Sequence, residues 1–256
     1  MTPKEIVLQA LTALFINFDA EAAAPLLAGD YIQHNPNVPT GAEPLLGYLP
    51  ALKESGLSAD VHRVLAEDDL VVIHSTYKNA QAFGAETLVA FDVFRVKNGR
   101  IAEHWDNLQP LPERTASGRS MVDGPTVITD TEKTAQNKAI IQGFLDDVLY
   151  GAAPEKITNY ISRDSYAQHN PLVEDGLSGL GAALEAMAAS GNEMVYEKTN
   201  LLVAEGNFVF AASEGRLGET PMAFFDLFRI EQGKIVEHWD TVSQIPTEMA
   251  HGNGKF

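Results

Sequence analysis

The chain contains no cysteine. Disulfides, thiolate metal ligands and thiol nucleophiles are therefore excluded, and the absence fits a reducing, cytoplasmic setting. Positive charge is scarce: 18 Lys and Arg stand against 35 Asp and Glu, for a net charge of −17 and a pI near 4.7. A surface of that sign repels phosphate backbones and anionic lipid, so neither nucleic acid nor a membrane is expected as a partner. No apolar run approaches the roughly 20 residues that span a bilayer. Glu5 and Gln9 also interrupt the stretch where a signal peptide would need an unbroken apolar core. The phosphate-binding Gly-Lys-Ser/Thr loop, the Gly-x-Ser-x-Gly elbow and the His-Glu-x-x-His pair are all missing. No cofactor is expected.

What the chain does have is a repeat. Asn98-Gly99-Arg100-Ile101-Ala102-Glu103-His104-Trp105-Asp106 returns as Gln232-Gly233-Lys234-Ile235-Val236-Glu237-His238-Trp239-Asp240. Upstream, Phe91-Asp92-Val93-Phe94-Arg95 returns as Phe225-Asp226-Leu227-Phe228-Arg229, and Tyr31-Ile32-Gln33-His34-Asn35-Pro36 as Tyr166-Ala167-Gln168-His169-Asn170-Pro171. The histidines are 169 − 34 = 135 and 238 − 104 = 134 positions apart, so the register slips by one residue between these landmarks. A chain of 256 residues with 45% hydrophobic content can fill two cores. The expected division is residues 1–110 for copy one, 111–130 for a Pro- and Gly-bearing linker, 131–246 for copy two and 247–256 for a tail.

Each copy reads as helices followed by an antiparallel meander. Thr2-Pro3-Lys4-Glu5 is a capping box with Pro at the first helical position, and Val7, Leu11, Leu14, Phe15 and Phe18 fall at helical spacing behind it. Strands are expected near 58–65, 70–77, 86–96 and 100–109, and again near 194–204, 208–214, 222–230 and 234–244. The order gives an α+β fold: two tandem cones, each with about three helices on a curled, mostly antiparallel sheet around a pocket, arranged as a pseudo-dimer.

The hairpin loop decides which side chains meet, because a one-residue slip turns every side chain to the other face. Gln232 is a poor residue for positive φ, so a three-residue loop with only glycine left-handed is expected in both copies, Lys97-Asn98-Gly99 and Glu231-Gln232-Gly233. Asp92 then opposes His104, and Asp226 opposes His238. One face carries Asp92, Phe94, His104, Asp106 and Leu108. The other carries Phe91, Val93, Arg95, Glu103 and Trp105, with the tryptophans serving packing. An Asp–His–Asp cluster against an apolar cavity is costly unless its members pair or act on a ligand, and the residues leave both readings open.

Together these tokens resemble the SnoaL-like polyketide cyclase family of the nuclear transport factor 2-like superfamily, over nearly all of both copies. The resemblance implies a cone with a pocket for a small hydrophobic or carbonyl-containing molecule, often in dimers. It also marks departures. Where the related ketosteroid isomerases carry a general-base Asp before a Pro, this chain has Asn35 and Asn170; where the cyclases carry an acid after the last-strand Trp, it has Gln109 and Gln244. Amides accept no proton at neutral pH. The surviving acids, Asp92 and Asp226, resemble the isomerases' oxyanion-stabilising Asp, while their helix-one Tyr has no counterpart.

The candidate catalytic residues are therefore His34, Asp92, His104 and Asp106, with His169, Asp226, His238 and Asp240 in copy two. His104 would be a base oriented by Asp92, and His34 would sit at the pocket mouth. Ligand contacts are expected from Asn35, His74, Phe94, Gln109, Asn170, Phe228 and Gln244. His74 aligns with Ala212, so the two pockets should differ. A His34–His74–carboxylate metal site lacks tight ligand spacing, and no metal is expected. Three functional readings stand: acid–base catalysis such as aldol cyclisation or isomerisation, a non-catalytic small-molecule binding module, or a structural fused dimer.

Overall fold

The computed structural model describes all 256 residues. They form two units, Met1–Leu111 with Pro246–Phe256, and Pro112–Ile245. No helix is long and apolar enough to cross a membrane.

In the first unit the capping box starts a helix at Pro3–Leu11, and the helix widens into a π turn over Thr12–Asn17 that ends at left-handed Phe18. The strands are β1 (Leu27–Gln33), β2 (Ser58–Glu67), β3 (Leu70–Lys78), β4 (Thr87–Lys97) and β5 (Arg100–Pro110), with a helix at Ala42–Glu54. Their order is β1-β5-β4-β3-β2, antiparallel except that β1 runs parallel to β5. The second unit repeats the plan with β6 (Ala167–Gln168), β7 (Met194–Glu205), β8 (Phe208–Leu217), β9 (Thr220–Glu231) and β10 (Lys234–Gln244), ordered β6-β10-β9-β8-β7. In each, the helices cover one sheet face: Ile6, Val7, Ala10 and Leu11 meet Ile73, Phe94 and Ile101, while Ile141, Phe144 and Leu145 meet Ala211, Phe228 and Ile235.

The hairpin loop differs from expectation. It has two residues, with Lys97 opposite Arg100 and Glu231 opposite Lys234. Both loop residues take positive φ, Asn98 at 51° and Gly99 at 74°, Gln232 at 51° and Gly233 at 76°. Glutamine thus accepts the left-handed cost, because the type I′ twist matches the strands it joins. A bulge then leaves Ala102 and Val236 without cross-strand partners, and beyond it Asp92 faces Asp106 and Phe94 faces His104. The observed partner of Asp92 lies two positions beyond the expected one. A shift of two preserves side-chain parity, so the expected faces stand although the expected pairs do not.

The segments after the last strands also repeat. Residues 112–130, expected as a linker, cluster with the second unit, and residues 246–256 cluster with the first. Ala116 N–H donates to the Pro171 carbonyl at 2.9 Å as Ala250 N–H does to Pro36 at 2.8 Å. The Ser120 carbonyl meets His169 Nδ1 at 2.6 Å as that of Gly254 meets His34 Nδ1 at 2.9 Å. The offsets, 250 − 116 and 254 − 120, are both 134, equal to that of the hairpin histidines. Each unit thus includes an arm, residues 112–130 in the second and 246–256 in the first, that caps its own His-Asn-Pro loop.

Candidate active site

The covered face of the first sheet opens on a cavity of about 130 Å³. Leu14, Phe15, Leu45, Leu52, Phe83 and Leu108 supply apolar walls; Gln33, Asn35, Tyr77, Asp92, His104 and Asp106 supply the polar end. A dry engineered cavity of about 150 Å³ holds benzene, so the space suits a ligand on the order of one aromatic ring. Ala82 and Phe83 come from the 79–86 connection between β3 and β4, where the second unit has only Gly218 and Glu219.

Hydrogen bonding in the polar end fixes where protons lie. The backbone N–H of Asn35 can only donate, so the Gln33 atom it meets at 2.8 Å is the carbonyl Oε1. The same oxygen lies 2.9 Å from His104 Nδ1, so Nδ1 carries a hydrogen. His104 Nε2 then faces Asp92 Oδ1 at 3.1 Å, and the two share a single proton, as imidazolium and carboxylate or as imidazole and acid. Tyr77 donates its hydroxyl to Asp92 Oδ2 at 3.0 Å, and Phe94 stacks on the imidazole with ring centroids 4.7 Å apart.

The second unit matches atom for atom. Gln168 Oε1 accepts from Asn170 N–H at 3.0 Å and from His238 Nδ1 at 2.9 Å, His238 Nε2 meets Asp226 Oδ1 at 2.9 Å, and Phe228 stacks on the ring. Burial raises Asp92 above the usual carboxylate range, only partly offset by His104. Burial pushes His238 down, but its hydrogen bond to Asp226 and the Asp240 charge outweigh that and raise it. Both directions describe a pair that keeps its proton.

The third acid faces this pair from β5 and β10. Asn35 Nδ2 donates to Asp106 Oδ2, and Asn170 Nδ2 to Asp240 Oδ2 at 2.7 Å. The other oxygen, Oδ1, is buried and has no hydrogen-bond partner in either copy. Burial pushes Asp240 up to about 6. In each trio the candidate ligand atoms lie within 4.8 Å of one another. The shared proton accounts for the His–Asp contacts, so they call for no bridging cation.

Several expected site residues stand elsewhere. His74 opposes Phe91 and stacks on it at 4.3 Å, with its Nδ1 3.0 Å from Arg63; strand alternation puts it on the face opposite Asp92. Its absence from copy two therefore does not distinguish the pockets. His34 also turns away from the cavity, with Nε2 3.1 Å from Glu103, Nδ1 on the Gly254 carbonyl and the ring stacked on Trp105. His169 does the same with Glu237, Ser120 and Trp239. Gln109 opposes Val89, one position out of phase with Leu108, and its counterpart is Ser243 opposite Ala223; Gln244 is exposed at the strand end. Asn35, Asp92, Phe94, His104 and Asp106 do come together around the cavity.

The sequence reading missed Gln33, Tyr31 and Tyr77 with their second-unit equivalents Gln168, Tyr166 and Tyr196. The repeated Tyr-x-Gln-x-Asn spacing carried the signal for two of them, since period-two alternation turns Tyr31, Gln33 and Asn35 to one side. Tyr77 carried none. Tyr196 donates to both oxygens of Asp226 at 3.2 Å, yet it comes from β7 whereas Tyr77 comes from β3. The directly paired residues are exchanged: Ala59 opposes Tyr77, and Tyr196 opposes Gly215. Burial, followed by the charge of the neighbouring Asp, holds both phenols well above their usual range, so they act as hydrogen-bond donors.

Residues 8–104 match the model of the SnoaL-like domain family. The first unit is a SnoaL-like domain. The repeated architecture makes the chain two tandem copies of that plan. A comparison with curated proteins finds no match. Among solved structures, the chain is similar to IdmH from Streptomyces antibioticus, with 20% identity over 43% of this chain and 93% of that one at a TM-score of 0.35. It is similar to an NTF2-like protein from Cytophaga hutchinsonii, with 19% identity over 43% and 92% at a TM-score of 0.35. An LEH-like epoxide hydrolase of M. tuberculosis shows 21% identity over 42% and 82% at a TM-score of 0.34.

Proposed function

We propose that the first unit performs general acid–base chemistry on a small, largely apolar carbonyl compound, removing a proton beside the carbonyl and returning it elsewhere, as in an isomerisation or aldol closure. The carrying observation is the buried Asp106 Oδ1, which has no hydrogen-bond partner in the wall of a cavity that also presents a proton-holding His104–Asp92 pair. Asp106 is the base, because its Oδ1 accepts no hydrogen bond. The pair is the acid: His104 Nε2 is already engaged with Asp92, so it cannot start as a free base, but it can give its proton toward an oxygen that gains charge. Gln33 holds the ring, Asn35 holds the far oxygen of Asp106, and Tyr77 holds Asp92.

The test is hydrogen–deuterium exchange at the α-carbon of small cyclic ketones, followed by NMR. Asp106→Asn should abolish exchange above the uncatalysed rate. His104→Ala should lower it by about 10²–10⁴-fold, the usual worth of a positioned proton donor. Full exchange in Asp106→Asn would overturn the assignment. A non-catalytic binding module would instead show ketone binding in the wild type with no exchange above background.

A further inference from the structure

Lys255 is a buried lysine, 6% exposed, on the C-terminal arm. Its Nζ donates to the Asp106 backbone carbonyl at 2.6 Å and lies 3.7 Å from Asp106 Oδ1, the acceptor assigned above as the base. The arm holds it there through successive residues. Ala250 N–H bonds the Pro36 carbonyl, a His251 ring nitrogen lies 2.9 Å from the Asn35 carbonyl, and Asn253 Nδ2 donates to the Gln33 carbonyl at 2.9 Å. The Gly254 carbonyl meets His34 Nδ1. The last strong point of that seam, one residue before Lys255, is the contact that Ser120 makes in the second unit. The residue after Ser120 is Met121, fully buried and without charge. The offset 255 − 121 is again 134. At equivalent arm positions the first unit therefore carries an ammonium beside its acid cluster and the second a buried thioether with no charge to offer.

We propose that Lys255 is a positioning residue that pairs with Asp106 and gives the first unit's site a charge balance the second unit's site does not have. The charged and titratable groups around it are Asp106 and His104 on β5, Asp92 on β4, Tyr77 on β3, Tyr31 on β1, His34 at the end of β1 and His251 on its own arm. Asp106 is the nearest of the acids. With two carboxylates, one imidazole and one ammonium, the first cluster reaches neutrality with both acids ionised and the imidazole protonated. The second has two carboxylates and one imidazole, so full ionisation leaves it with an uncompensated charge in a buried space. Asp240 pushed up to about 6 is what that arrangement predicts, and burial lowering Lys255, with Asp106 opposing, is the complementary effect on the cation. The consequence is a difference in charge between the sites: the first cluster can hold both carboxylates ionised with their charge compensated, while the second takes up a proton at Asp240 near pH 6. The idea relies on the proposed function only for calling Asp106 a base; the pairing itself does not depend on catalysis.

The experiment is carbon-detected NMR of aspartate side-chain carboxyls against pH in the full-length protein, for wild type, Lys255→Met, Lys255→Arg and Met121→Lys. Lys255→Met should make Asp106 titrate at higher pH, toward Asp240, and Lys255→Arg should restore the wild-type curve. Met121→Lys should bring Asp240 below its value of about 6. This last variant tests the pairing in the opposite direction, so the idea stays falsifiable even when loss of Lys255 unfolds the arm. Unchanged Asp106 titration in folded Lys255→Met, or unchanged Asp240 in folded Met121→Lys, overturns the proposal. If ketone exchange is observed, Lys255→Met should lower it about twofold near pH 6 and by up to about tenfold at lower pH, recovering toward pH 8, as one unit of displacement toward the Asp240 value requires. A uniform loss at all pH values would mark a purely structural role and also overturn it. Absence of ketone exchange in the wild type, with the carboxyl curves moving as stated, would sink the proposed function and leave the pairing intact.

Discussion

The exchanged pair Ala59–Tyr77 and Tyr196–Gly215 yields a sharp test of how the acid is held. Each unit places one phenol on its buried carboxylate, but from neighbouring strands, with a small residue opposite. Tyr77→Ala removes a side chain that is 7% exposed and deprives Asp92 of a donor. Loss of a buried aromatic costs about 3–5 kcal/mol, and loss of a hydrogen bond to an ionisable buried group adds about 1.5–3 kcal/mol. Ala59→Tyr alone overpacks the sheet surface by about 1–3 kcal/mol, since the space beside Ala59 and Tyr77 is only about 30 Å³. In the double variant the new phenol occupies the volume vacated by the old one and can reach Asp92, as Tyr196 reaches Asp226. The double variant should then cost at least about 3 kcal/mol less than the sum of the singles. Urea unfolding followed by tryptophan fluorescence reads this directly in a Trp239→Phe background, because Trp105 is then the only tryptophan and reports the first unit. Additivity within about 0.5 kcal/mol would mean that the two strand positions are uncoupled, and the exchange argument would fail.

Two further outcomes follow from the second unit. Gly215→Ala should destabilise it by several kcal/mol, because a Cβ there would run into the Val195 carbonyl and the Tyr196 backbone; a melting temperature equal to wild type would contradict the close approach. Asp240 sits at about 6 in the fold against an ordinary 3.8, so it binds its proton more tightly when folded. Its contribution is fully present below the unfolded value and is lost as pH rises from about 4 to about 6, worth about 3 kcal/mol. Asp240→Asn should therefore narrow the gap in unfolding free energy between pH 4 and pH 7 by about that amount, and an unaltered gap would refute it.

Much of the frame was legible because it follows from local rules. The Thr2–Glu5 capping box starts the first helix as its chemistry requires, and alternation along Asp92–Phe94 and His104–Asp106 put the acid, the aromatic and the imidazole on one face. The turn was misread because a propensity argument against positive φ at Gln232 was weighed without the strand twist, and the bulge at Ala102 and Val236 left no mark in residue type. His34 and His169 were misplaced for a different reason. Adjacent residues on an extended chain point opposite ways, so the repeated His-Asn step sends Asn35 to the cavity and His34 to Glu103. The arms stayed hidden because Ala116 to Met121 and Ala250 to Lys255 share only an alanine and a glycine, too little to align without their contacts.

What the two copies preserve argues for what the site is for. They differ in the strand that supplies the phenol, in the length of the β3–β4 connection against its counterpart, and in the charge at the arm tip. Yet Gln on the imidazole, Asp sharing its proton and Asn on the opposing acid recur with nearly the same distances. A cluster needed only to fill a core could have been replaced in one copy by apolar residues of similar volume, a change that is often neutral or stabilising for buried ionic groups. Both copies instead keep three buried titratable groups and leave one carboxylate oxygen without a hydrogen-bond partner. An arrangement that costs stability and recurs at atomic detail while its supports vary is what the proposed proton chemistry would require and what packing alone would not.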